Sequence, residues 1–200
     1  MDPTKPTAAN PRITTCDPVE GYAPRIGRYI AQMNEVRTGL LRQLEGLGIE
    51  QIDWHPDENT ESIGTMLLHI DAVEWSWIFE DIFGRPDSEY PGEWSEAMPI
   101  RNRLPQVQGR PLEWYLQELE ATRQRTLEVL RGFNGDDLAR LVGESDDLGP
   151  ELERRSWLYT IDWIIWHIIH HEAAHVGQIE LLRRLGPSAN KGGQASTESA

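Results

Sequence analysis

The pentapeptide His171-Glu172-Ala173-Ala174-His175 sets two imidazoles four residues apart with a carboxylate between them. On a helix, residues i and i+4 lie one above the other on the same face, so both ring nitrogens can converge on one divalent ion. The string is also a literal H-E-x-x-H, the zinc-protease signature in which the glutamate serves as general base. A protease needs a third ligand further along the chain. After His175 the candidates are Glu180, close by on the same helix, and Glu198 near the end, and neither is well placed. The extended form H-E-x-x-H-x-x-G-x-x-H is broken as well, because Gly177 comes one residue early and Leu181 stands in place of the third histidine. What survives is a metalloenzyme of another kind, or a coincidence in a histidine-rich helix.

The helical wheel bears on that choice. With His171 at zero, His175 sits at about 40°, Ile164 and Leu182 at about 20° and Ile168 at about 60°, so both imidazoles project from the middle of an apolar stripe. A buried ring nitrogen without a partner costs on the order of 1–3 kcal/mol. Either hydroxyl and carbonyl groups across the fold satisfy both rings or a metal does, and a pair on adjacent turns favours the metal. His69, in TMLLHIDAVEW at the edge of another apolar face, offers a third ligand. Three neutral imidazoles leave one position of a tetrahedral ion open, the arrangement in which a divalent metal activates water or a thiol. Glu172, about 60° from His175 on the wheel, is the candidate for proton transfer or for orienting a ligand. His167 is assigned to lining or packing, His170 to the flank of the helix, and His55, in the loop DWHPDE, to the surface. Trp75, Trp77, Trp163 and Trp166 read as core or interface bulk.

Four segments with helical periodicity must position these residues. In the first, Ile26, Tyr29, Ile30, Met33, Val36, Leu40 and Leu44 recur at three- and four-residue steps and stop at Gly46 and Gly48. The second follows the capping-rich DENTES and carries Ile63, Met66, Leu67, Ile70, Val73, Trp77 and Ile78 before Gly84 and Pro86. The third opens with Pro111 in its first turn and runs through Leu112, Leu116, Leu119, Leu127 and Leu130 to Gly132. The fourth spans roughly Thr160 to Leu185 and closes at Gly186-Pro187. No segment alternates with period two over β-branched residues, so the class is all-α, a four-helix bundle. The connection from 85 to 110 is long for a bundle and predicts a crossover that leaves the second and third helices parallel, with Tyr90 and Trp94 over one end. Within the connection from 133 to 159, DDLARLV predicts a short additional helix.

With 38% apolar content, 200 residues suffice for one domain, expected over 21–186 between flexible tails at 1–20 and 187–200. The 19 basic and 33 acidic residues give a net charge of −14, which repels phosphate backbones and anionic bilayers and argues against nucleic-acid and membrane partners. A single cysteine, Cys16, excludes an intrachain disulfide and suits a reducing compartment. The first residues lack the apolar run of a secretion signal and no window is long enough to span a membrane, so a soluble cytoplasmic protein is expected.

Together these motifs resemble the DinB/YfiT-like metalloenzyme family. The likeness rests on a histidine in the second helix (SIGTMLLHI, 62–70), on H-x-x-x-H-x-G-Q-I in the last (His171 to Ile179), and on GLGIEQIDWHPDENTESIG, similar to that family's Trp-x-Pro loop. It extends from about residue 24 to 186. The resemblance implies an up-down-down-up bundle, one divalent metal, zinc or nickel, held by His69, His171 and His175, and a homodimer. It also implies a transferase or isomerase that uses a low-molecular-weight thiol such as mycothiol or bacillithiol together with a small-molecule substrate. Val176 stands where a basic residue often follows the last ligand in the family. Two other readings stay open at this point: a non-catalytic, stress-related metal-binding module, and a metal-dependent hydrolase.

Overall fold

The computed structural model describes residues 15–85, 106–143 and 158–187. Residues 1–14 and 188–200 of the expected tails, and Tyr90 and Trp94, lie outside the described residues. Four long helices dominate: α1 (Pro24–Leu44), α3 (Ile63–Trp75), α4 (Leu112–Leu130) and α5 (Ile161–Leu185), with a single-turn α2 (Ile49–Ile52) between the first two. None of the described helices is long and apolar enough to cross a membrane.

Cross-helix contacts fix the direction of each helix. Arg25 pairs with Asp162, Arg37 with Glu172, and Arg183 donates to the carbonyls of Arg42 and Gln43, so α1 and α5 run parallel. Gly64 lies against Tyr115 and Glu74 pairs with Arg123, so α3 and α4 run parallel as well. His69 meets His171 and His175 while Trp77 meets Trp163 and His167, which makes α3 antiparallel to α5. The result is the up-down-down-up bundle. Two parallel neighbours joined directly need a connection the length of the bundle, which is why the stretch between α3 and α4 is long.

The local signals act as read for the last helix. The Thr160 hydroxyl accepts from Trp163 N at 3.1 Å and caps α5, and Gly186 follows its last residue. At α3 the cap is Ser62, whose hydroxyl accepts from Thr65 N at 3.2 Å. Gln106 braces that end by accepting from Ser62 N and donating to Thr60 O. Pro111 is the N-cap residue of α4 and lies one position before the helix, not inside its first turn.

Three further features depart from expectation. The second helix does not continue as α-helix to Gly84; it changes at Ser76 to a π-helical stretch, Ser76–Ile82, whose wider turns shift the phase of Trp77 and Phe79. A small antiparallel ladder pairs β1 (Leu141–Gly143) with β2 (Leu158–Thr160). Its strands of three residues are too short to show a period. DDLARLV accordingly divides into a 3-10 turn, Asp137–Ala139, and the start of β1, instead of one short α-helix.

Packing converges on α3. Every residue of Ile63–Trp75 is buried except His69. Gly64 makes that depth possible, since a Cβ there would lie 2.5 Å from Tyr115 Oη. The core of Ile26, Ile30, Met33, Leu40, Leu67, Ile70, Leu119, Ile164, Ile168 and Ile179 therefore surrounds a helix whose one break in burial is an imidazole.

Candidate metal centre

α3 and α5 cross so that His69 faces the turn of α5 carrying His171 and His175. Nε2 of His171 stands 3.1 Å from Nε2 of His69 and 3.1 Å from Nε2 of His175. One nitrogen from each of the three rings fits within 4.8 Å of the others. Nitrogens that share an ion at about 2.0–2.1 Å stand about 2.9–3.4 Å apart, from octahedral to tetrahedral geometry, a range that includes the two spacings to His171 Nε2. Among the described residues, no cysteine, carboxylate or further histidine joins the three. All three are partly exposed, so the cluster opens towards solvent.

The electrostatics favour the ligating form. Burial, and then the neighbouring charge of His175, push the basicity of His69 down to about 4. Burial, followed by His175 and His69, pushes His171 to about 2. Burial also lowers His175, against a smaller opposing pull from Gln178 and Glu61. Neutral imidazoles with free lone pairs are what a divalent ion requires. Ligating histidines usually donate their other ring N–H to a carboxylate or carbonyl. Here Nδ1 of His69 is buried without a hydrogen-bond partner, and Nδ1 of His175 makes no bond of good geometry, although the Gln178 side chain lies near enough to raise that ring's basicity.

The remaining sequence candidates lie elsewhere. His167 stacks on Trp163 with ring centroids 4.7 Å apart and meets Trp77 edge-on at 5.0 Å, its ring centre 6.2 Å from that of His171. His170 is exposed and stacks on Trp166, and His55 Nδ1 meets Asp57 O at 2.7 Å in a loop. Glu172 turns into the bundle, where its Oε1 accepts from Arg37 Nε at 2.6 Å and its Oε2 from Arg123 Nη2 at 2.7 Å. A carboxylate held this way is an acceptor for two guanidiniums and not a side chain aimed at the imidazoles.

The partners of Glu172 are what the sequence reading passed over. Arg123 also grips Glu74, Nε to Oε1 at 2.8 Å and Nη2 to Oε2 at 2.9 Å, and Arg37 Nη2 lies 3.5 Å from Glu74 Oε2. Arg37, Glu74, Arg123 and Glu172 come one from each long helix and are 9%, 3%, 4% and 2% exposed, so four charges close a neutral ring inside the bundle. Burial pushes the Glu74 carboxyl up, but Arg123 and Arg37 outweigh it and hold the group below its usual range. The signal was present: Arg37 falls between Met33 and Leu40, and Arg123 between Leu119 and Leu130, at core-facing steps of otherwise apolar stripes.

The fold resembles the crystal structure of a conserved protein from Enterococcus faecalis, with a TM-score of 0.59 at 13% identity over 79% of this chain and 94% of that one. That likeness concerns fold alone. No curated protein matches the chain. A family model described as mycothiol-S-transferase matches residues 30–186, which takes in His69, His171, His175 and all four long helices except the first turns of α1. The chain belongs to the mycothiol-S-transferase family.

Proposed function

We propose that the protein joins an intact low-molecular-weight thiol, mycothiol first, through its sulfur to an electrophilic small molecule, the S–H proton being lost, at a divalent ion held by His69, His171 and His175. The observation that carries this reading is the convergence of three neutral imidazoles, with Nε2 of His171 3.1 Å from that of His69 and 3.1 Å from that of His175, at the one break in the burial of α3. When bound, the ion supplies a Lewis acid that keeps a thiol sulfur deprotonated near neutral pH. The chain's own residues do the rest. Three protein ligands leave room for an exogenous one, and with Glu172 and Glu74 engaged by arginines neither carboxylate competes for that place. Zinc suits the donor set, with nickel the alternative, because imidazole serves both. Glu172 is assigned to holding its helix and not to proton transfer.

The same reading places the protein with the reduced thiol pool of the cytoplasm and in a homodimer. Support for the dimer comes from α5: its exposed residues from Trp166 to Leu181 are Trp166, His170, Ala173, Ala174, Gly177, Gln178 and Leu181, without a charge, in a chain of net charge −14. Small residues at the centre of such a face let a second helix approach closely. Leu181→Arg should yield a monomer by light scattering, and an unchanged mass would reject this interface.

The functional test uses protein purified without an affinity tag. About one divalent ion per chain is expected, together with mycothiol-dependent consumption of one or more members of an electrophile panel that is lost in His171→Ala. Thiol consumption at the wild-type rate by His171→Ala would overturn the proposal. Metal-dependent turnover of esters or amides without thiol would replace it with a hydrolase, and stoichiometric metal without turnover would replace it with a binding module.

A further inference from the structure

The buried ring of Arg37, Glu74, Arg123 and Glu172 sits directly beside the ligands in sequence. Glu172 follows His171, and Glu74 lies five residues after His69 on the same helix. Its hydrogen bonds also tie the helices at their backbones: Arg37 Nη1 donates to Leu119 O at 3.2 Å and Arg123 Nη1 to Met33 O at 3.5 Å. Arg37 on α1 and Arg123 on α4 thus each bridge Glu74 on α3 to Glu172 on α5.

A metal centre built across two helices is sensitive to their phase. Rotating α5 by about 10° moves an imidazole nitrogen, roughly 6 Å from the helix axis, by about 1 Å. Ligand distances tolerate only about 0.2 Å. Rings of this kind are ordinarily held by hydrogen bonds at Nδ1, yet His69 Nδ1 has no such partner and His175 Nδ1 makes no bond of good geometry. Apolar packing alone permits small rotations and slips. A four-charge ring in which each carboxylate must meet two guanidiniums does not, because leaving one buried charge unpaired costs several kcal/mol.

We infer that the Arg37–Glu74–Arg123–Glu172 ring is the positioning device of the histidine cluster, setting the register and rotation of α5 against α3 so that three nitrogens meet at one point. The inference rests on the metal reading given above. All four are positioning residues that act through His69, His171 and His175.

The test compares Glu172→Gln, which removes one charge while keeping the shape, with the pair Glu74→Met/Arg123→Met. The pair removes both members of an ion pair together and leaves Arg37 and Glu172 matched at 2.6 Å. Leu130→Ala, a fully buried site two turns beyond Arg123, is the control for stability loss unconnected with the ring. Each protein is stripped of metal, its thermal midpoint measured, its zinc affinity determined by chelator competition, and its cobalt d–d spectrum recorded. We expect zinc affinity to fall about 10- to 100-fold in both ring variants, with a cobalt band shifted or weakened. Leu130→Ala should bind zinc within about twofold of the parent and give the parent spectrum at a comparable or greater loss of thermal midpoint, since its cavity weakens the fold without moving the ligands. Should Glu172→Gln fail to fold, the methionine pair carries the comparison. Ring variants that fold and keep the parental zinc affinity and cobalt spectrum would overturn the inference alone. An unmodified protein that takes up no zinc would overturn the metal reading and this inference with it.

Discussion

Two polar clusters lie within one bundle and are built on opposite rules. In the arginine–glutamate ring every side chain is at least nine-tenths buried, the charges sum to zero and both carboxylates accept from guanidiniums. In the histidine cluster the rings are partly exposed, three Nε2 atoms face one another, and Nδ1 of His69 has no partner. A closed, satisfied cluster has nothing to offer a ligand. A convergent, unsatisfied and accessible one is costly unless something binds it. The difference separates a closed group that ties helices together from an open one with nitrogens to offer a ligand, and it does so although Glu172 and His171 are adjacent in the chain.

The comparison breaks most readily at the ring. Glu172→Ala should leave Arg37 and Arg123 without their shared carboxylate and destabilise the metal-free protein by roughly 3–5 kcal/mol, on the order of 10 °C in Tm, as read by calorimetry. A loss below 1 kcal/mol would place the ring among ordinary ion pairs. At the histidine cluster the balance is reversed. His171→Ala should cost the metal-free protein little, because the ring it removes is incompletely satisfied, but should abolish metal retention, whereas His170→Ala should retain the metal; metal analysis of both variants decides this.

Acid sharpens the contrast. His69 and His171 are depressed to about 4 and about 2 in the fold, against about 6.5 when unfolded. The unfolded chain therefore binds more protons, and the stabilisation is complete above about pH 6.5 and is lost as the pH falls, down to about 4 for His69 and about 2 for His171. Metal-free protein should melt at a lower temperature at pH 5 than at pH 7.5, and His171→Ala should show a flatter dependence; equal slopes would contradict the buried, neutral state. The smallest effect is expected at the surface. Arg25→Ala removes a pair with Asp162 whose arginine side chain is 60% exposed, and it should change stability by less than about 1 kcal/mol without altering metal affinity.

Much of this was legible in the sequence, and the reasons differ by element. The limits of α5 could be read from Thr160 and Gly186 because caps are local chemistry. The clustering of the three histidines could be read because a helix imposes its own geometry on His171 and His175, and because an up-down-down-up bundle sets α3 antiparallel to α5, so that His69 can face them. The ring was missed because the helical periodicity was traced through apolar residues alone, which passes over Arg37, Glu74 and Arg123 although they occupy buried steps. Glu172 was drawn towards the metal by the H-E-x-x-H pattern. On the wheel it stands about 100° from His171, far enough to face α1 and α4 in place of the imidazoles. The π-helical stretch at Ser76–Ile82 and the pairing of Leu141–Gly143 with Leu158–Thr160 depend on tertiary partners, and no local pattern announces them.

The central claim is that three histidines hold an ion with a position left for an exogenous thiol. It is tested most directly by loading metal-free protein with one equivalent of cobalt(II) and titrating with mycothiol. The account predicts a near-ultraviolet sulfur-to-cobalt charge-transfer band that saturates at one thiol per chain and is absent in His171→Ala. A cobalt spectrum that does not respond to thiol, or that responds equally in His171→Ala, would contradict it.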